Sequence, residues 1–122
     1  MRGKRRVIAL LMLLGLLLPG LLAGCTGQGS ENKVLRVGTN PEFPPFEYID
    51  NEGNVAGFDA DLIEAIAENQ GYTIAWSSME FKSLIGALES GGVDVVIAGM
   101  TITEARRQSV DFTDAYYDAS QM

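Results

Sequence analysis

The residues best equipped for chemistry form one stretch, Val93-Asp94-Val95-Val96-Ile97-Ala98-Gly99-Met100-Thr101-Ile102-Thr103-Glu104-Ala105-Arg106. Its first half is the kind of β-rich apolar run that is buried on both faces of a parallel sheet. The run breaks at Gly99 into hydroxyls. Thr103 is then placed to cap a helix whose first turn contains Arg106. Backbone N–H groups, a threonine hydroxyl and a guanidinium would converge at the carboxyl end of a strand, where open α/β sheets bind ligands. That set of donors suits a small carboxylate.

The elements that must hold this stretch in place alternate strand and helix. Val34 to Thr39 reads as a first strand, stopped by Pro41, Pro44 and Pro45. Phe46 to Ile49 and Val55 to Phe58 flank the turn residues Asp50 to Asn54 and predict a hairpin. Asp59 is expected to cap a helix with Leu62, Ile63, Ile66 and Ala67 on its buried face and Gly71 as its stop. Tyr72 to Trp76 gives a second strand, with Trp76 in the core. A second helix, about Lys82 to Ser90, is buried through Leu84, Ile85 and Leu88 and ends at Gly91-Gly92. The expected fold is α/β with a mostly parallel sheet in the order 2-1-3, built from right-handed crossovers. In that order the chain reverses its winding between the first and third strands. The cleft at this switch point would be flanked by Thr39 to Phe43, Met79 to Phe81 and Gly99 to Arg106.

Charge and composition narrow the function classes. The 122 residues carry nine basic and sixteen acidic side chains. Four of the nine, Arg2, Lys4, Arg5 and Arg6, precede an apolar stretch from Val7 to Leu18 that is short for a membrane span, the pattern of a signal peptide. Leu22-Ala23-Gly24-Cys25 resembles a lipobox. Residues 1–24 are therefore expected to be cleaved, with the Cys25 thiol lipidated and residues 25–32, rich in Gly and Ser, acting as a flexible tether. The remainder keeps five basic against sixteen acidic residues, a net −11. A nucleic-acid partner is thereby disfavoured. Cys25 is the single cysteine, so no intrachain disulfide is available.

Four blocks in order, Thr39 to Tyr48, Gly57 to Leu62, Ala98 to Arg106 and Asp111 to Tyr117, resemble the bacterial polar amino-acid-binding proteins, the extracytoplasmic solute receptors of ABC importers. The resemblance covers essentially all of residues 33–120. It implies a periplasmic-binding-protein type II-like lobe over residues 33–122, incomplete, with the second lobe absent. It implies Phe43 as an aromatic over the ligand, Phe81 as a second wall, the Gly99 carbonyl as acceptor for the ligand ammonium, Thr101 as a hydroxyl and N–H donor, and Arg106 as the bidentate clamp on the α-carboxylate. Asn40 stands where relatives selective for polar or basic side chains often have aspartate. An amide cannot neutralise a cation, which favours a neutral polar amino acid as ligand. The implied partners are an ABC permease and, through the lipid, a membrane. Because family members are about twice the length expected after cleavage, the 122-residue chain is expected to bind free amino acids weakly or not at all.

Other readings of the same lobe are a sensor, a dehydratase or lytic-enzyme relative, and a non-functional fragment. Catalysis finds little support. The chain has no histidine, and the sequence suggests no acid pair in an apolar pocket for general acid–base work. Neither a metal-ligand spacing nor a phosphate-cradling Gly loop is found, so no cofactor or metal is expected. Arg107 is read as a surface charge, Asp61 as a first-turn acid favoured by the helix dipole, and Tyr116 and Tyr117 as β packing.

Overall fold

The computed structural model describes residues 33–119. The expected signal peptide, Cys25 and the tether lie outside the described residues. β1 (Lys33–Thr39) is the central strand of a three-stranded parallel sheet. On one side it pairs with β5 (Tyr72–Ser78), in register from Lys33 opposite Tyr72 to Thr39 opposite Ser78. On the other it pairs with β6 (Val95–Val96). Numbered within this sheet, the order is the expected 2-1-3. A second, antiparallel sheet is formed by β2 (Glu42–Phe43), β3 (Glu47–Ile49) and β4 (Val55–Ala56), with β3 and β4 joined by the expected turn.

Two helices cover the parallel sheet. α1 (Phe58–Gln70) buries Ala60, Ile63 and Ala67, and Gly71 closes it in the left-handed conformation. Ile63 packs with Val37 and Ile97, surrounded by Leu35, Ile74, Val95 and a half-buried Trp76. α2 (Leu84–Glu89) follows a single 3-10 turn and buries Leu84 completely. Leu84 lies against Gly38. Val37 and Gly38 are successive residues of one strand and face opposite sides, so α1 and α2 cover opposite faces of the sheet. A one-turn helix, α3 (Glu104–Arg107), completes the elements.

Several local expectations are corrected. Ile66 is 48% exposed rather than buried. The Val93 run forms an edge strand of only two residues, because among the described residues nothing pairs with its outer side. Tyr116 and Tyr117 lie in an irregular segment, where Tyr117 meets Phe46 edge-on at 5.0 Å and Tyr116 stacks on Phe58 at 6.2 Å. Asp59 does not cap α1. Gly57 holds that position, and the first helical amides are taken by backbone instead, Phe58 N–H donating to the Pro45 carbonyl at 3.0 Å and Asp59 N–H to that of Phe46 at 2.9 Å. This close docking requires glycine: at φ 117° a Cβ on Gly57 would overlap the Phe46 carbonyl. Gly57→Ala is accordingly expected to cost at least about 2 kcal/mol of stability in chemical denaturation. A midpoint and slope unchanged from the wild type would contradict this account of the helix start.

Candidate functional site

The carboxyl ends of the three parallel strands open on one side, and every expected ligand residue follows one of them. Asn40 comes directly after β1, Phe81 three residues after β5, and Gly99 three residues after β6. Backbone and side chain knit the first two loops together. Met79 N–H donates to the Thr39 carbonyl at 3.0 Å, and Asn40 Nδ2 donates to the Met79 carbonyl at 3.2 Å. Asn40 thus uses one of its two amide N–H groups on the loop.

The expected residues other than Asn40 fall into two contact groups. Phe43 packs beside Gly99, where a Cβ would sit 3.5 Å from its ring. Its ring also stacks on Phe46 at 5.6 Å. Arg106 lies over the face of Phe81, 5.3 Å from the ring centroid, and one Nη donates to the Thr101 carbonyl at 2.7 Å. A guanidinium stacked on an aromatic face and tied to backbone is held in orientation. Asn40 is bonded to Met79, two residues before Phe81. Phe43 is 56% exposed and Phe81 37%, large apolar areas left open beside polar donors, as a ligand platform requires. A cavity of about 690 Å³ extends from Phe43, Gly99 and Thr101 beneath the segment carrying Phe112 and Tyr116.

Thr103 caps α3 as expected, its Oγ1 accepting from Arg106 N–H at 3.2 Å. α3 spans only four residues, closed by the ordinary helical bond from Arg107 N–H to the Thr103 carbonyl at 3.0 Å.

Sequence reasoning missed a buried acid pair behind Gly99, and expected none. Glu47 and Asp59 are 1% and 0% exposed. Asp59 Oδ2 accepts from Gly99 N–H at 2.7 Å and from the Tyr116 hydroxyl at 3.0 Å. Burial, followed by the charge of Asp59 and a hydrogen bond to it, pushes the Glu47 carboxyl up to about 8. Burial also raises the Tyr116 phenol, with Asp59 adding to the effect. No sequence signal marked it: the strand Glu47-Tyr48-Ile49 exposes Tyr48 and Ile49 and turns its acid inward, against the apolar-inward pattern.

Exposed aromatics and an oriented arginine thus stand together at the switch point of a parallel α/β lobe. Residues 35–122 match the bacterial extracellular solute-binding proteins, family 3, and the chain belongs to that family. It is 42% identical over 109 residues to a probable histidine-binding protein of Neisseria gonorrhoeae, covering 83% of this chain and 41% of the relative. It is 46% identical over 101 residues to the arginine-binding extracellular protein ArtP of Bacillus subtilis, covering 81% and 39%. The chain thus spans about two-fifths of the length of these relatives. Among solved structures, an ancestral arginine-binding protein bound to arginine superposes with a TM-score of 0.68 at 51% identity, covering 70% of this chain and 38% of that one. The arginine-bound form of domain 1 from TmArgBP gives 0.68 at 46% identity, covering 70% and 68%.

Proposed function

We propose that the chain supplies the first lobe of an extracytoplasmic amino-acid receptor that delivers its ligand to an ABC permease, and that the ligand is arginine. The observation that carries this reading is Arg106, braced between Phe81 and the Thr101 carbonyl at the mouth of the sheet's switch point. There it would clamp the α-carboxylate through paired N–H donors. The Gly99 carbonyl would accept from the ammonium, and Phe43 and Phe81 would form the walls.

The neutral polar ligand expected from Asn40 gives way to arginine for three reasons. Close relatives are named for arginine or histidine. Asn40 Oδ1 can accept from a guanidinium without neutralising it, and the bond from Nδ2 to Met79 holds the amide in one orientation. A chain with a net −11 beyond residue 24 also draws cationic solutes. Binding rather than catalysis fits the buried acids, which are sealed from any solute. The TmArgBP domain 1 structure supports ligand binding by a single lobe. The weak or absent binding expected of this chain on its own is revised accordingly: a lobe alone should hold arginine, less tightly than a closed two-lobed protein.

Calorimetric titration of the intact protein with arginine, histidine and glutamine is the test. Arginine is expected to bind tightest, at ~1 µM or below, which is about −8 kcal/mol. No heat with any amino acid would overturn the reading, and glutamine binding tighter than arginine would restore the neutral ligand. Lipid anchoring at Cys25 is part of the proposal. Cys25→Ser should abolish palmitate labelling and leave the precursor uncut, and labelling that persists would refute the anchor.

A further inference from the structure

The buried pair behind Gly99 takes no part in the ligand contacts proposed above, yet it is built into their support. Asp59 is tied to three separate segments. Its own N–H donates to the Phe46 carbonyl beside β3, its Oδ2 accepts from Gly99 N–H at 2.7 Å, and the same oxygen accepts from Tyr116 at 3.0 Å. Asp59 Oδ1 and Glu47 Oε2 are buried without a conventional donor. A proton shared between the two carboxyls would satisfy both.

Gly99 is the member of this network that reaches the solute. It sits at φ 53°, in the left-handed region that glycine adopts freely, and its amide donates a charge-assisted bond to the buried Asp59 carboxylate that fixes its place. Two residues on, Thr101 gives its carbonyl to Arg106. The path from Asp59 to the guanidinium therefore runs through Gly99, Met100 and Thr101, with a hydrogen bond at each end. A shift of the Gly99 amide would move both the acceptor for the ammonium and the brace of the clamp, and small misplacements of that kind weaken oriented polar contacts.

Resting on the amino-acid-binding reading, we propose that Asp59 is a positioning residue for the solute, fixing the Gly99 backbone from beneath the cleft, with Glu47 as the partner whose proton keeps it in place. The titratable groups that face Asp59 are Glu47 from β3 and Tyr116 from the irregular segment. Asp61, on the same helix, is exposed. Among the described residues no basic side chain is paired with the cluster. Below the upward-shifted titration of Glu47 the pair carries one negative charge. Above it, two adjacent buried carboxylates repel, and the Asp59 carboxylate that holds Gly99 is displaced.

The test is arginine titration of the intact protein and its variants, with each variant's folding checked by thermal denaturation. Asp59→Ala should remain partly stable and lose at least tenfold in affinity at a temperature where it is folded. Asp59→Asn, which keeps an acceptor for Gly99 and offers Glu47 a donor, should recover most of that loss. Wild-type affinity in folded Asp59→Ala would overturn the proposal while leaving arginine binding intact, whereas a wild type that binds no amino acid would overturn the reading beneath it. If Asp59→Ala does not fold, Glu47→Gln decides. Wild-type affinity should fall at least fivefold more than that of Glu47→Gln between pH 6.5 and pH 9, with the ligand's own titration common to both. Equal losses would overturn the proposal.

Discussion

Replacing Arg106 with alanine is expected to lower the affinity of the intact protein for every amino acid it binds by at least tenfold, about 1.4 kcal/mol or more. The expectation follows from what the side chain has already spent. Its guanidinium is stacked on Phe81 and anchored to the Thr101 carbonyl before any ligand arrives, so little ordering remains to be lost on binding. A planar fork held this way can meet both oxygens of a carboxylate. Because every α-amino acid carries that carboxylate, the loss should be uniform across ligands, while changes at Asn40 should alter their ranking. Lysine at 106 should recover little, since an ammonium neither stacks on Phe81 in the same way nor forms paired parallel bonds. Titration calorimetry of wild type, Arg106→Ala and Arg106→Lys measures both statements. Unchanged affinity in Arg106→Ala would remove the clamp, and full recovery in Arg106→Lys would reduce it to a point charge.

The part of this fold that sequence reveals is the part governed by local pattern. Val34 to Thr39 and Tyr72 to Trp76 alternate or run apolar between strong stops, and Gly71 and Thr103 end and begin helices where their conformational preferences say they should. Strand order followed because a lobe of alternating strands and helices has few ways to wind. What pattern could not reveal was decided by contacts between distant segments. Gly-Phe-Asp ahead of an apolar helix reads as a capping site, but the Pro45 and Phe46 carbonyls supply the first-turn acceptors, and Gly57 alone admits them so closely. Asp59 is then carried inward, in the first turn of the helix, where its partner is an amide forty residues away. Glu47 is the same case on a strand: between Phe46 and Tyr48 it looks like the solvent-facing residue, and only the arrival of Asp59 and Gly99 behind it makes the inward side polar. The sequence marks candidate residues as single positions, whereas the contacts that brace them across loops leave no mark in it. Phe81 under Arg106 and Met79 between Asn40 and Thr39 join loops from different strands, and spacing along the chain carries no record of that.

The stability of the lobe should fall as pH rises from about 5 to 8, and Glu47 should be the cause. Its carboxyl titrates near 4.5 in an unfolded chain and at about 8 in the folded lobe, where burial and Asp59 both oppose its ionisation. Below the lower value both states hold the proton and the fold has the full benefit. Between the two, unfolding releases a proton, so each rise in pH favours the unfolded chain, by up to about 1.4 kcal/mol per unit for one group. Above about 8 neither state holds it and the loss is complete, a few kcal/mol in all. The chain has no histidine, and Asp94, drawn down to about 2 by its bonds to Arg36, contributes its own pH dependence only in strong acid. Tyr116 is raised and stays protonated throughout. Chemical denaturation at half-unit steps from pH 5 to 9 measures the slope. Glu47→Gln, an amide of the same shape that can donate to Asp59 Oδ1, should flatten it and should be the more stable protein at pH 8.5. A slope that survives unchanged in Glu47→Gln would place the titrating group elsewhere, and a wild type whose stability rises across the same window would reverse the assignment of the proton.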